Sequence, residues 1–233
     1  MTTLSIVIPV YNEKASIEKL LSLVEAVNLG DIKKEIIIVD DGSQDGTREI
    51  LEKYKDRKGY NVIFHEANAG KSAAVKTGIL ASTGDIVVIQ DADLEYDPED
   101  YKKLLIPFNK GVADVVYGSR FKGEGPHRMI YFKNMIANKF LTALSNLFTG
   151  FNLTDMEVCY KMFNGELIRR IAKTLTATRF GFEPEVTAKI AKEKVRLFEV
   201  GISYYGRSKE EGKKIKFIDG IKAIWEIIKY SAL

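Results

Sequence analysis

Ile86-Val87-Val88-Ile89-Gln90-Asp91-Ala92-Asp93 is the stretch whose reading decides the fold. Its first four residues are apolar throughout instead of alternating, the pattern of a short strand covered on both faces, and the run stops on two carboxylates. Outward from it, the same pattern recurs. Residues 4–10 form an apolar, β-branched run ending in Pro9-Val10-Tyr11-Asn12-Glu13, and Ile17, Leu20, Leu21, Val24 and Val27 follow at helical spacing. Residues 35–39 stop at Asp40-Asp41-Gly42-Ser43, after which Ser43 or Asp45 caps a helix running to about Lys55. Residues 61–65 read as a third strand and 69–82 as a helix entered through Gly70. On the other side, Asp97-Pro98-Glu99 opens a helix with proline in its first turn, and 112–117 is a fifth strand closed by Gly118-Ser119-Arg120.

Strands alternating with helices in this way predict an α/β domain with a mainly parallel sheet, helices on both faces and right-handed crossovers. The composition shifts after Arg120. Residues 121–128 form a loop bearing Gly, Pro and Lys, 129–153 carry many large apolar side chains, 158–163 and 195–202 read as strands and 181–191 as a helix. No linker is long enough for a second independent domain. The expected organisation is a Rossmann-like half over 1–120, a second half of the same domain over 121–212, and an amphipathic C-terminal helix over 213–233.

With 233 residues and 45% hydrophobic content the chain can fill a sizeable core. Lys and Arg number 35 against 32 Asp and Glu, a net charge of +3, so any attraction to nucleic acid is weak and any basic site is local. Cys159 is the single cysteine and His65 and His127 the two histidines, which excludes a disulfide framework and argues against a zinc centre. No run of eighteen apolar residues is present and residues 1–10 lack the features of a secretory signal, so a cytoplasmic protein without a membrane span is expected.

In an open parallel sheet, ligands gather at the carboxyl ends of the strands. The polar residues fall there: Tyr11, Asn12 and Glu13 after strand one, Asp40 and Asp41 after strand two, Asn68 to Lys71 after strand three, Asp91 and Asp93 after strand four, Ser119 and Arg120 after strand five. Asp91 and Asp93 at close range repel each other unless protons or a cation intervene. A divalent cation with oxygen ligands, Mg²⁺ or Mn²⁺, suits them. The plainer alternative is a solvated loop in which one aspartate caps the following helix.

Four stretches, 7–13 (Val-Ile-Pro-Val-Tyr-Asn-Glu), 38–47 (Ile-Val-Asp-Asp-Gly-Ser-Gln-Asp-Gly-Thr), 68–71 (Asn-Ala-Gly-Lys) and 90–93 (Gln-Asp-Ala-Asp), together resemble the successive signatures of family-2 glycosyltransferases with the GT-A fold. Gly118-Ser119-Arg120 and Thr154-Asp155 extend the similarity to the dolichyl- and polyprenyl-phosphate sugar synthase branch. The resemblance implies an inverting, metal-dependent transfer from a nucleotide diphosphate sugar, UDP-glucose first and GDP-mannose second. By the family pattern Pro9, Tyr11, Glu13 and Asp40 line the nucleoside pocket and Lys71 lies near the nucleotide. Asp91, with Ala92 beside it, approaches the ribose and diphosphate, and Asp93 holds the metal. The lipid-phosphate branch commonly has Gln where this chain has Glu95, a further candidate ligand.

An acceptor hydroxyl needs a general base, for which Asp155 is the first candidate and Glu157 the next. An acceptor phosphate needs positive charge instead, and Arg120, Arg128 and Arg207 supply it. Each arginine also reads as a surface ion pair, and His127 as a polar loop residue. Glu183 either orients the acceptor or is a first-turn acid favoured by the helix dipole. Asp93, Asp155 and Arg120 are thus the expected catalytic set. Ile218, Ile221, Ile224, Trp225 and Ile228 share one helical face with basic flanks, which fits a helix at a lipid surface or one docked on the core; residues 129–153 offer a second such surface.

The leading reading is a transferase to a lipid phosphate or related glycolipid, peripheral on a membrane face. A transferase to a soluble saccharide hydroxyl, with Asp155 as base, is the second. A non-catalytic nucleotide-binding regulatory module is a third, from another class. A homo-oligomer is compatible with the sequence.

Overall fold

The four apolar runs of the first half become β1 (Thr3–Val10), β2 (Lys33–Asp40), β3 (Tyr60–Phe64) and β4 (Ile86–Ile89), all mutually parallel, in the order β3-β2-β1-β4. Residues 4–10 of β1 are buried without a break, so both faces of that strand are covered. The chain winds outward from β1 to β3 and then returns to the other side of β1. The winding therefore reverses between β1 and β4, where diverging loops open a crevice at the carboxyl edge.

The structure is a computed structural model that describes residues 2–123, 125–129, 131–179, 181–208 and 217–231, with side chains of 217–219 and 221 left aside. Strands β5 (Val115–Ser119), β6 (Lys161–Asn164) and β7 (Leu197–Gly201) complete a seven-stranded sheet in the order β3-β2-β1-β4-β6-β5-β7. Only β6 opposes its neighbours, lying antiparallel to β4 and β5, while β5 and β7 are parallel. The carboxyl ends of the other six strands thus share an edge with the start of β6.

Helix α1 (Ile17–Ala26) buries Ile17, Leu20, Leu21 and Val24, as its spacing predicts. Helix α2 (Thr47–Glu52) stops before Lys55. Beyond Leu51 only half-buried Tyr54 continues its buried face, and the N–H groups of Lys53, Tyr54 and Lys55 donate to carbonyls three residues back, at 3.2, 3.0 and 3.3 Å. Helix α3 (Lys71–Ala81) packs on β1 and β2, and α4 (Tyr101–Asn109) follows a 3-10 turn at Pro98–Asp100 in which Asp97 accepts the Glu99 N–H at 3.0 Å. Helices α5 (Phe132–Thr149), α6 (Gly165–Ala172), α7 (Phe182–Ala191) and α8 (Phe217–Ser231) complete the chain.

The sequence reading has no helix at α6. Its signal is present in Asn164, whose side chain caps the Leu167 N–H at 3.1 Å, and in buried Leu167, Ile168, Ile171 and Ala172. Helix α8 packs on α5 and α7 through Ala223, Ile227 and Tyr230, yet leaves Trp225 61% and Ile228 46% exposed. The docked face is thus Ala223, Ile227 and Tyr230, whereas Trp225 and Ile228 of the expected apolar face stay outside and Ile224 is half-buried. The basic residues Lys213, Lys214 and Lys216 lie outside the described residues. Among the described residues no helix is long and apolar enough to cross a membrane.

Candidate active site

Asp40 ends β2 opposite Val10, fully buried, and the Asp41 N–H donates to the Val10 carbonyl at 2.8 Å. One Asp40 oxygen accepts the Ser43 N–H at 3.3 Å. The other, Oδ2, has Arg48 Nε at 3.4 Å but no hydrogen-bond partner. A buried carboxylate oxygen without a donor is costly, and a ligand N–H would complete it. Pro9 lies in buried β1 beyond the last β1–β4 pair, Val7 with Ile89, where its missing N–H leaves that ladder intact. Tyr11 is 40% exposed in the loop after β1.

Asp41 has a different task. Its carboxylate accepts the N–H groups of Ala69 and Gly70 at 2.9 and 2.8 Å and meets His65 Nδ1 at 2.8 Å, clamping the loop that leads to Lys71. Gly70 has φ +96°, and a Cβ there would stand 2.4 Å from the Thr178 carbonyl oxygen. Only glycine fits both restraints. Lys71 is thereby aimed across the crevice, its Nζ 2.8 Å from Asp91 Oδ1 and 3.3 Å from Glu183 Oε1. Burial disfavours its charge, but Asp91 and then Glu183 outweigh that and hold its pKa well above the ordinary lysine value.

Gln90, fully buried, fixes the turn after β4. Its Oε1 accepts the hydroxyls of Tyr101 and Tyr160 at 2.5 and 2.6 Å, and its Nε2 donates to the Asp91 carbonyl at 2.9 Å. Ala92 is buried and Leu94 takes a positive φ of 63°, so the turn is tight. Asp93 then meets Arg207 Nη2 at 2.6 Å. Glu95 accepts the Arg207 backbone N–H at 2.9 Å and the Tyr204 hydroxyl at 2.7 Å, and Glu13 lies 3.8 Å from Arg207 Nη1. One guanidinium from the segment after β7 thus serves three carboxylates.

Burial, then Asp91 and Glu95, push the Asp93 carboxyl up to about 7 against the pull of Arg207. Hard oxygen donors crowded in this way suit a divalent cation, which Asp91 and Asp93 could hold if it took the place of their contacts with Lys71 and Arg207. Glu95 is committed to Tyr204 and Arg207. Among the described residues no three acidic, His or Cys side chains are already gathered around a metal position, so remaining ligands would come from a bound phosphate or water.

On the β5 side, Arg120 Nε and Nη2 donate to Asp155 Oδ2 and Oδ1 at 2.7 and 2.8 Å, and the Arg120 N–H donates to Oδ2 at 2.9 Å. Asp155 is fully buried and the Arg120 side chain nearly so, and the guanidinium lies 5.3 Å from the Tyr204 ring centroid. Asp155 is therefore bound on both oxygens, a poor state for a base, and it anchors Arg120 at the edge. Glu157, two residues on, has a sealed Oε1 with no hydrogen-bond partner. Arg128 is exposed at the rim, its N–H bonded to the Tyr204 carbonyl at 2.9 Å, and His127 forms a bridge with Tyr204.

The structure thus brings together Glu13, Lys71, Asp91, Asp93, Glu95, Glu183 and Arg207, links them through Tyr204 to Arg120 and Asp155, and leaves Tyr11 and Arg128 toward the outside. Sequence reasoning missed the tasks of Asp41, Gln90 and Tyr204. Asp41, in a strand-end acidic pair, and Gln90, in the 90–93 signature, carried a local signal; Tyr204 carried none.

The sheet and its switch-point crevice are those of the GT-A glycosyltransferases. Glucosyl-3-phosphoglycerate synthase from Mycobacterium tuberculosis, solved in complex with Mn²⁺, UDP and phosphoglyceric acid, matches with a TM-score of 0.72 over 100% of this chain and 79% of that one, at 20% identity. The model of glycosyl transferase family 2 matches residues 5–172, and the chain belongs to that family. Among curated relatives, a dolichol-phosphate mannosyltransferase of Pyrococcus furiosus is 27% identical over 97% of this chain and 64% of its own length. A dolichyl-phosphate β-glucosyltransferase of Dictyostelium discoideum is 27% identical over 86% of this chain and 66% of its own. A UDP-N-acetylglucosamine–dolichyl-phosphate N-acetylglucosaminyltransferase of Methanococcus voltae is 27% identical over 84% and 83%. The chain spans slightly less than two thirds of the first two.

Proposed function

We propose that this family-2 glycosyltransferase moves a sugar, with inversion, from a nucleoside diphosphate sugar to a polyprenyl or dolichyl phosphate at a membrane surface, with UDP-glucose the first donor to test and GDP-mannose the second. The observation that carries it is the meeting of Asp91 and Asp93 with cations at one edge, Arg207 of the second half on Asp93 and Arg120, after β5, through Tyr204. Relatives named for dolichyl phosphate support the acceptor.

In this reading Asp40 Oδ2 accepts an N–H of the base, Pro9, Tyr11 and Glu13 border the nucleoside, and Lys71 and Asp91 orient the ribose and diphosphate. A divalent cation, Mg²⁺ or Mn²⁺, on Asp91 and Asp93 neutralises the charge that grows on the leaving diphosphate. Arg207, beside Asp93, would supply positive charge for the acceptor anion together with Arg120 and Arg128. Glu183 holds Lys71 from the acceptor side.

Helix α5 supports a lipid surface. Phe132, Ile136, Phe140 and Leu147 form an exposed stripe, with Met129 87% exposed just before it, and the helix has no acidic residue while Lys133 and Lys139 flank the stripe. Two copies meeting through this face would oppose like charges, whereas an anionic bilayer would not.

Purified protein with Mn²⁺ and a panel of UDP-, GDP- and dTDP-sugars should label dolichyl phosphate in preference to soluble saccharides. Transfer to saccharide hydroxyls alone would sink the lipid reading and favour the soluble-acceptor one.

A further inference from the structure

Among the described residues, two side chains, Asp40 and Glu157, carry a buried polar atom without a hydrogen-bond partner. Both lie at the carboxyl edge of the sheet, Asp40 on the donor side and Glu157 on the acceptor side. The backbone around Glu157 is pinned. Thr142 Oγ1 accepts the Met156 N–H at 3.0 Å, Glu199 accepts the Thr154 and Asp155 N–H groups at 2.8 and 3.2 Å, and Lys161 Nζ donates to the Met156 carbonyl at 2.8 Å and to that of Val158. One oxygen of an acid held this firmly, Oε1, is left without a hydrogen-bond partner, which a ligand reaching this edge would supply.

The groups acting on Glu157 are Glu183 from α7, Lys161 from β6, and Arg120 with Asp155 at the end of β5. Glu157 lies in the turn that enters β6, and β6 runs between β4 and β5, so the residue stands between Asp91, which follows β4, and the Arg120–Asp155 pair, which follows β5. We propose that Glu157 is a further catalytic residue which, in its protonated form, donates a hydrogen bond to a non-bridging oxygen of the acceptor phosphate. The proposal rests on the lipid-phosphate reading above. Burial, then Glu183, push this carboxyl up to about 8, against Lys161 and Arg120, so it is mostly neutral at pH 7. As a carboxylate it would repel the acceptor it is meant to hold. During transfer the bond from sugar C1 to the diphosphate oxygen breaks and its electron pair leaves with the nucleoside diphosphate. An acceptor oxygen supplies the pair for the new bond, and Glu157 keeps its proton.

Glu157→Gln separates this from general-base catalysis, because an amide donates a hydrogen bond but takes up no proton at these pH values. Transfer to dolichyl phosphate is measured from pH 6 to 9.5 for wild type, Glu157→Gln and Glu157→Ala, with the folding of each checked by circular dichroism. Wild-type kcat/KM for the acceptor should fall about tenfold per pH unit above about 8. Glu157→Gln should stay within roughly threefold of wild type at pH 7 and lose the alkaline fall, whereas Glu157→Ala should raise acceptor KM by roughly tenfold or more with donor KM unchanged. Glu157→Gln as inactive as Glu157→Ala, or retention of the alkaline fall in Glu157→Gln, which would assign that fall to a group such as Lys161, overturns the proposal while leaving the acceptor reading intact. A wild-type enzyme that ignores dolichyl phosphate overturns both.

Discussion

Replacing Asp155 by Asn tests whether that residue is a base or the anchor of Arg120. The carboxylate accepts three hydrogen bonds from Arg120, two on Oδ2 at 2.9 and 2.7 Å and one on Oδ1 at 2.8 Å. An amide cannot reproduce them. With its NH₂ at the Oδ2 position it faces two donors, and with its NH₂ at Oδ1 it faces Nη2. In either orientation a guanidinium that is nearly buried also loses its counter-charge. Breaking a buried pair from one side costs about 3–5 kcal/mol, and the oxygen that Asn retains puts this case near the lower end. For a chain of this size each kcal/mol moves the melting midpoint by about 2–4 °C, so a fall of roughly 6–12 °C is expected. Arg120→Leu combined with Asp155→Leu should recover part of it, since no charge is then left alone. Differential scanning calorimetry and urea unfolding read stability, and transfer is assayed below the lowered midpoint. A variant that melts within about 2 °C of wild type yet transfers nothing would refute the anchoring role and restore Asp155 as the base.

Gly70→Ala should destabilise by about 1–3 kcal/mol and raise donor KM, because its Cβ would meet the Thr178 carbonyl oxygen at 2.4 Å and the loop aiming Lys71 must shift; urea unfolding with donor kinetics checks this. Arg207→Ala leaves Asp93, Glu95 and Glu13 without their shared cation, so its melting point should fall in metal-free buffer and rise with added Mn²⁺ by more than that of wild type, as scanning fluorimetry will show. Changing Phe132, Ile136 and Phe140 together to Ser should abolish flotation with anionic vesicles while moving stability by less than about 1 kcal/mol, since all three are exposed. The Glu157 carboxyl also sets a sign for stability against pH. Its folded pKa, about 8, lies above the unfolded value of 4.5, so its stabilisation is complete below the unfolded value and is lost as pH rises through about 8. The slope reaches at most about 1.4 kcal/mol per pH unit, and Glu157→Gln should flatten it in urea titrations.

Strand order and site chemistry were legible to different depths. Residues 4–10, 35–39 and 86–89 announce buried parallel strands because burial on both faces demands unbroken apolar runs, and the acids that stop them mark the binding edge. Asn164 and the spacing of Leu167, Ile168 and Ile171 encode helix α6 locally, whereas α2 gives way past Leu51 to turns bonded three residues back, its charged continuation having helical propensity but only half-buried Tyr54 to pack on the core. The tasks of Gln90 and Tyr204 were not legible, since each acts through partners far along the chain: Gln90 bonds Tyr160, 70 residues away, and Tyr204 bonds Glu95, 109 residues away.

The sequence by itself determined the family, the parallel half of the sheet and the acids and bases available to one edge, because short-range periodicity and strand-end polarity are properties of neighbouring residues. Tertiary structure decided how those charges are spent. It turned Asp155 onto Arg120 and Glu95 onto Tyr204 and Arg207, and it left Asp40 and Glu157 each with a sealed oxygen that accepts no hydrogen bond. Hydrogen bonding and desolvation depend on which groups the fold brings within about 3 Å, and no spacing along the chain records that.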